Sequence, residues 1–152
     1  AHPALAALGA LINAAIRDSA AFFRQSGLAA HPVMARAAER WTLRVWGTVL
    51  GPGGHQAPHM HPLGWLSGAY YVRVPDDMQP MPGSSDPALI AGALEFGRPP
   101  ERLLINAPAE VRVVEPRAGR LALFPSAFYH RTIPFTSGEK RISIAFDAMP
   151  AS

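Results

Sequence analysis

The chain contains no cysteine. That excludes a disulfide framework, a thiolate metal site and a cysteine nucleophile. Lysine is nearly missing too: of 14 basic residues only Lys140 is lysine, and the rest are arginines scattered singly. No basic run is present and the net charge is only +3, so nucleic acid is not an expected partner. Charged residues are few, at 16%, and hydrophobic ones make up 49%, a balance that folds around a core rather than staying disordered. No unbroken apolar run reaches the roughly 20 residues that cross a bilayer, so no membrane is expected. With 152 residues the chain holds one domain of ordinary size. What is abundant is turn chemistry: 16 Pro and 13 Gly argue against a helical bundle.

One helical segment is legible. Leu5, Leu8, Leu11, Ile12, Ile16, Phe22 and Phe23 recur at mostly helical spacing, predicting an amphipathic helix over 4–25. Gly27 and Pro32 bracket its end, and a short helical piece over Met34–Arg40 is expected next. The N-terminal helical segment is thus 1–40, packed on a β domain of 41–152. Its first residue is Ala, which points to a piece of a longer chain. No basic leader precedes the apolar stretch, and a cytoplasmic location is the expectation.

From Trp41 the period becomes two. Thr42, Arg44, Trp46 and Thr48 alternate with Leu43, Val45, Gly47 and Val49. Gly51–Pro58 reads as a loop, Leu66–Val74 as a buried strand, and Pro75–Pro87 as a long surface loop or lid. Short strands are expected at Gly92–Phe96, Leu103–Asn106, Val111–Glu115, Arg120–Phe124, Tyr129–Pro134 and Arg141–Phe146. That spacing predicts a sandwich or barrel.

Four histidines carry chemistry: His55, His59, His61 and His130. In an extended chain residues i and i+2 share a face, so His59 and His61 can offer two imidazoles to one ion. Taken alone, an H-x-H is better explained by hydrogen-bonded loop histidines. His130 lies between two strand-like segments, and Arg141 and Ser143 share a strand face beyond it. A guanidinium beside a hydroxyl suits a carboxylate. Three nitrogens with a carboxylate clamp nearby match what a chelating 2-oxo acid needs. Tyr70 and Tyr71 point to opposite faces, so at most one serves the pocket. Trp46 and Trp65 read as core or pocket wall, and Arg131 should face away from the metal.

The order Trp46-Gly47, Gly53-Gly54-His55, His59-Met60-His61-Pro62, Ser67-Gly68-Ala69-Tyr70-Tyr71-Val72, Phe124-Pro125-Ser126, Tyr129-His130 and Arg141-Ile142-Ser143 resembles the 2-oxoglutarate/Fe(II) oxygenases of the H-x-H-P and S-G-x-Y-Y-V group, over about 41–147. The resemblance implies a mainly β fold, a double-stranded β-helix (jelly roll, cupin-like) with the N-terminal helical segment added. It implies Fe(II) held by His59, His61 and His130, and 2-oxoglutarate as cosubstrate bound by Arg141, Ser143 and Tyr71. The implied reaction is hydroxylation with release of succinate and CO2, on a small molecule or a protein side chain. Some relatives carry tetratricopeptide repeats ahead of this domain. The chain departs from the wider superfamily at His61, where an acid is expected. Asp76 and Asp77 are candidates to supply a carboxylate, though their loop position argues against it. His55 stands as an alternative ligand or a substrate residue. A three-histidine cupin-like metalloenzyme and a non-catalytic jelly roll are the competing readings, and a homodimer through the apolar helix stays open.

Overall fold

The computed structural model describes residues 2–83, 90–103 and 105–151. Helix α1 spans Pro3–Gln25. Pro3 opens it where a missing N–H costs nothing, and the His2 side chain accepts from Ala4 N at 3.3 Å. By length and composition it could cross a membrane, because its alanines raise the mean hydropathy where strict apolar runs are short. Here Ile12, Ile16 and Ala20 are buried on the sheet below. Leu5, Leu11 and Phe22 remain exposed. The next helical piece is a 3-10 turn, Pro32–Arg36, earlier and tighter than expected. His31 starts it by accepting from Val33 N at 3.2 Å.

Nine strands follow among the described residues. They are β1 Trp41–Leu50, β2 Leu66–Arg73, β3 Gln79–Pro80, β4 Leu94–Phe96, β5 Arg112–Val114, β6 Leu121–Pro125, β7 His130–Thr132, β8 Phe135–Thr136 and β9 Arg141–Pro150. The larger sheet has the order β1-β9-β2-β6, all antiparallel. The smaller layer comprises β5-β4-β7 and the pair β3-β8. A further segment joins it without regular strand geometry. His59 N donates to His130 O (3.0 Å), His130 N to His59 O (2.9 Å), and Thr132 N to Gln56 O (3.1 Å). Segment 56–59 therefore runs beside β7 as an irregular fourth strand. Two antiparallel layers with sequentially distant neighbours, β1 beside β9 and β2 beside β6, make a jelly roll.

Three local expectations need correction. The stretch beginning at Pro75 is not pure loop: β3 pairs with β8, Gln79 opposite Thr136 and Pro80 opposite Phe135. An edge strand this short tolerates proline. Residues 84–87 of that expected loop lie outside the described residues. The strand expected at Leu103–Asn106 is absent at 103, 105 and 106, while Leu104 lies outside the described residues. Strand β9 continues four residues past Phe146, because β1 offers partners through to Trp41 opposite Pro150.

The larger sheet is two-faced. Outward, Leu66, Phe146 and Ala148 join Trp65 and the buried stripe of α1 in one apolar cluster. Phe146 lies across Gly68, where a Cβ would meet its ring at 2.3 Å and the Ala122 carbonyl at 2.5 Å, so only glycine fits. Two indoles fasten the helical segment to the sheet: Trp41 Nε1 donates to Asn13 Oδ1 (2.8 Å) and Trp65 Nε1 to Val33 O (2.9 Å). The inward face looks at the smaller layer and carries the polar residues.

Candidate metal centre

His59 and His61 arrive on a segment whose backbone is fixed at several points. Gly53, at φ 72°, makes the turn out of β1 and donates its N–H to Phe135 O at 2.8 Å. Pro58 and Pro62 flank the H-M-H and favour extended backbone before each. His61 N donates to Ser126 O at 2.9 Å. The reciprocal hydrogen bonds between His59 and His130 set these two residues directly opposite, so their side chains leave on one face. Their rings lie 4.3 Å apart, and His61 is 5.2 Å from each. Met60, between them, is exposed.

One potential ligand atom from each of His59, His61 and His130 lies within 4.8 Å of the others. The opposite ring nitrogens are all engaged. His59 Nδ1 is 2.7 Å from the Ala57 carbonyl and His130 Nδ1 is 3.0 Å from the Phe128 carbonyl. His61 Nδ1 is 2.5 Å from Asp147 Oδ1. Carbonyls and carboxylates only accept, so each Nδ1 carries a proton, and in the neutral imidazole the lone pair is then on Nε2. Burial pushes His130 down to about 4, which holds it neutral at ordinary pH. Three neutral imidazoles with oriented lone pairs are a donor set for a borderline divalent metal such as iron. The residues fit the ion that the sequence resemblance implies.

A narrow cavity of about 30 Å³ at the histidines is lined by them and by Trp46, Thr48, Arg141 and Ser143. Arg141 and Ser143 project from the inward face of β9, and Thr48 stands opposite Ser143 on β1. Arg141 is 2% exposed and its Nε has no hydrogen-bond partner among the described residues. A buried guanidinium with an open donor is a cost unless an acceptor comes to it. Tyr71 is fully buried and does not line the cavity; its ring carries the Arg141 guanidinium, 4.9 Å from ring centre to carbon. Its hydroxyl is also unpartnered among the described residues, and burial raises its pKa.

Trp46 is partly exposed and stacks on His61, 5.7 Å between ring centres. His55 is exposed beside the Gly53 carbonyl and stands outside the histidine cluster. Arg131 faces away from the cluster, its Nε donating to Glu95 Oε1 at 2.7 Å, and Arg98 Nε donates to the same oxygen at 2.7 Å. Asp77 is engaged elsewhere, accepting from Ser137 Oγ at 2.5 Å, and Asp76 is exposed. The carboxylate nearest the histidines is Asp147, which sequence reasoning missed. The signal was available: 141, 143, 145 and 147 share one face of β9, and Asp147 is the acid in that row.

The family whose model matches residues 44–147 is described as "Putative 2OG-Fe(II) oxygenase". That span is most of the chain, and the chain belongs to this family of 2-oxoglutarate/Fe(II) oxygenases. A PKHD-type hydroxylase of Parvibaculum lavamentivorans is 41% identical over 56 residues, 34% of this chain and 26% of that protein. A Pseudomonas putida prolyl-4-hydroxylase structure aligns with TM-score 0.48 at 18% identity, over 72% of this chain and 52% of that one. The chain thus spans about a quarter of the one relative's length and about half of the other's.

Proposed function

We propose that the chain is an Fe(II)- and 2-oxoglutarate-dependent hydroxylase domain, with His59, His61 and His130 as metal ligands. One observation supports this above the rest: three imidazoles, each with Nδ1 engaged by an acceptor, bring one ligand atom apiece within 4.8 Å of one another, at a cavity that also holds a buried Arg141 whose Nε has no partner among the described residues. Bound Fe(II) with 2-oxoglutarate supplies oxidative decarboxylation to succinate and CO2, coupled to hydroxylation of a substrate C–H bond.

The protein's own residues prepare that chemistry. The three histidines would hold the ion, and it would supply binding positions for cosubstrate and dioxygen. Arg141 binds the distal carboxylate of 2-oxoglutarate through its fork, and Ser143 adds a hydroxyl donor. Tyr71 holds the guanidinium in place from behind by cation–π contact. Trp46 and Phe124 wall the cavity and keep water from the reacting groups. The substrate enters past Trp46, a small molecule or a protein side chain.

Anaerobic titration with Fe(II) and 2-oxoglutarate, followed by exposure to air and succinate detection, tests the reading. One equivalent of metal and succinate formation are expected; a folded chain that binds neither ends it. The purely neutral donor set favours one second reading, a three-histidine metalloenzyme that needs no 2-oxoglutarate. Metal-dependent turnover unaffected by 2-oxoglutarate would select it.

A further inference from the structure

Three neutral ligands leave a divalent ion with its full charge, and the chain places a buried carboxylate one residue behind them. Asp147 is 9% exposed, and its Oδ1 lies 2.5 Å from His61 Nδ1. The same oxygen accepts from Ser67 Oγ at 2.6 Å. Ser67 Oγ is in turn 2.8 Å from Ser126 Oγ. Since Ser67 spends its proton on Asp147, Ser126 is the donor in that last bond. Ser67 and Ser126 are 1% and 0% exposed. Ser67 sits directly opposite Asp147 in the β2–β9 register. Ser126 also hands its carbonyl to His61 N at 2.9 Å. Gly64 leaves room for this corner, since a Cβ there would meet Ser126 Oγ at 2.5 Å. His61 Nδ1 and Ser67 Oγ meet on one carboxylate oxygen, and Ser126 backs Ser67 from behind.

We infer that Asp147, pinned by Ser67 and Ser126, is the positioning residue of the metal centre: it fixes the tautomer and aim of His61 and supplies, from behind the ring, the negative charge that the ligand set lacks. The inference rests on the metal-centre reading above. His59 and His130 lean on neutral carbonyls, so His61 is the one imidazole with an anionic partner. A carboxylate accepting Nδ1–H makes Nε2 a stronger donor than a carbonyl does. His61 occupies the position where an acid is the expected ligand, and Asp147 returns that acid at one remove. Trp46 covers the other face of the ring, so His61 is held by stacking and by hydrogen bond together.

Cobalt(II) binding to the purified chain tests this, read by the visible absorption band and by affinity, with the thermal midpoint of the metal-free chain measured alongside. Asp147→Ala should weaken cobalt binding about 10–100-fold. Asp147→Asn keeps the shape and both accepting contacts but drops the charge; it should weaken binding roughly tenfold and shift the band, with the metal-free midpoint little changed. Ser67→Ala, which leaves His61 and Asp147 intact, should weaken binding about threefold. If Asp147→Ala does not fold, the other two variants decide. Parent-like affinity and an unmoved band in Asp147→Asn and Ser67→Ala overturn the inference while the metal reading stands. Weakening that merely follows a lowered midpoint, with the band unmoved, overturns it too. No cobalt binding by the parent chain overturns both.

Discussion

Strand β9 has two faces that obey different rules. Outward, Phe146 and Ala148 pack against Leu66 and the stripe Ile12, Ile16 and Ala20 of α1, an apolar seam in which shape and area decide everything. Inward, one residue out of step, Arg141, Ser143 and Asp147 are just as deeply buried, yet each is polar. The outward row gains stability from burial. The inward row costs stability and is supported residue by residue: Asp147 by His61 and Ser67, Arg141 by the Tyr71 ring. A one-residue register slip would exchange the rows, so the apolar seam fixes the register that the centre needs.

The sharpest break between the faces comes from the ligands. His130→Ala should abolish stoichiometric Fe(II) binding in an anaerobic titration while circular dichroism shows the sheet intact; full occupancy would end the assignment. On the other face, Phe146→Ala should cost about 3–5 kcal/mol in urea unfolding, because it empties a site closed over Gly68. Metal affinity of its folded fraction should be unchanged. Arg141→Ala should raise the 2-oxoglutarate concentration needed for half-maximal succinate formation about 10–100-fold, with metal affinity within about threefold. Equal losses in both would show that the two inward groups act as one.

The smallest effect lies in the opposing layer. Burial pushes the Glu95 carboxyl up, but the bonds from Arg98 and Arg131 outweigh it and hold it below the usual range. Glu95 therefore contributes stability above the ordinary carboxylate range, and that contribution is lost as pH falls through its lower folded value. Glu95→Gln should cost roughly 1–3 kcal/mol at neutral pH, and the gap to the parent should narrow in acid, as paired urea titrations would show. A constant gap would mean the loss is steric.

Much of this architecture could be read from residues alone, for reasons that differ by element. Helix α1, β1 and β6 announce themselves by their periodic patterns, and β2 by an unbroken run suited to a buried strand. The β3–β8 pair could not be read, since two residues on each side have no period and gain their identity only from each other. The last four residues of β9 were missed although Asp147 keeps the polar step of the alternation; the strand runs on because β1 supplies partners as far as Pro150. His59 and His61 were suggested by spacing. Their meeting with His130 depends on backbone pairing across the chain, which the resemblance implied and no local pattern could. No pattern in the helix marks Asn13 as the residue that receives the Trp41 indole.

The bond between His61 and Asp147 joins residues 86 positions apart. A contact of such separation exists only where distant stretches of chain pair, here β9 against β2 and β1. A half-assembled chain therefore carries loose imidazoles and no organised centre. Until that pairing exists, the His61 ring has no carboxylate behind it, so the organisation of the centre belongs to the completed fold and to no segment of the chain alone.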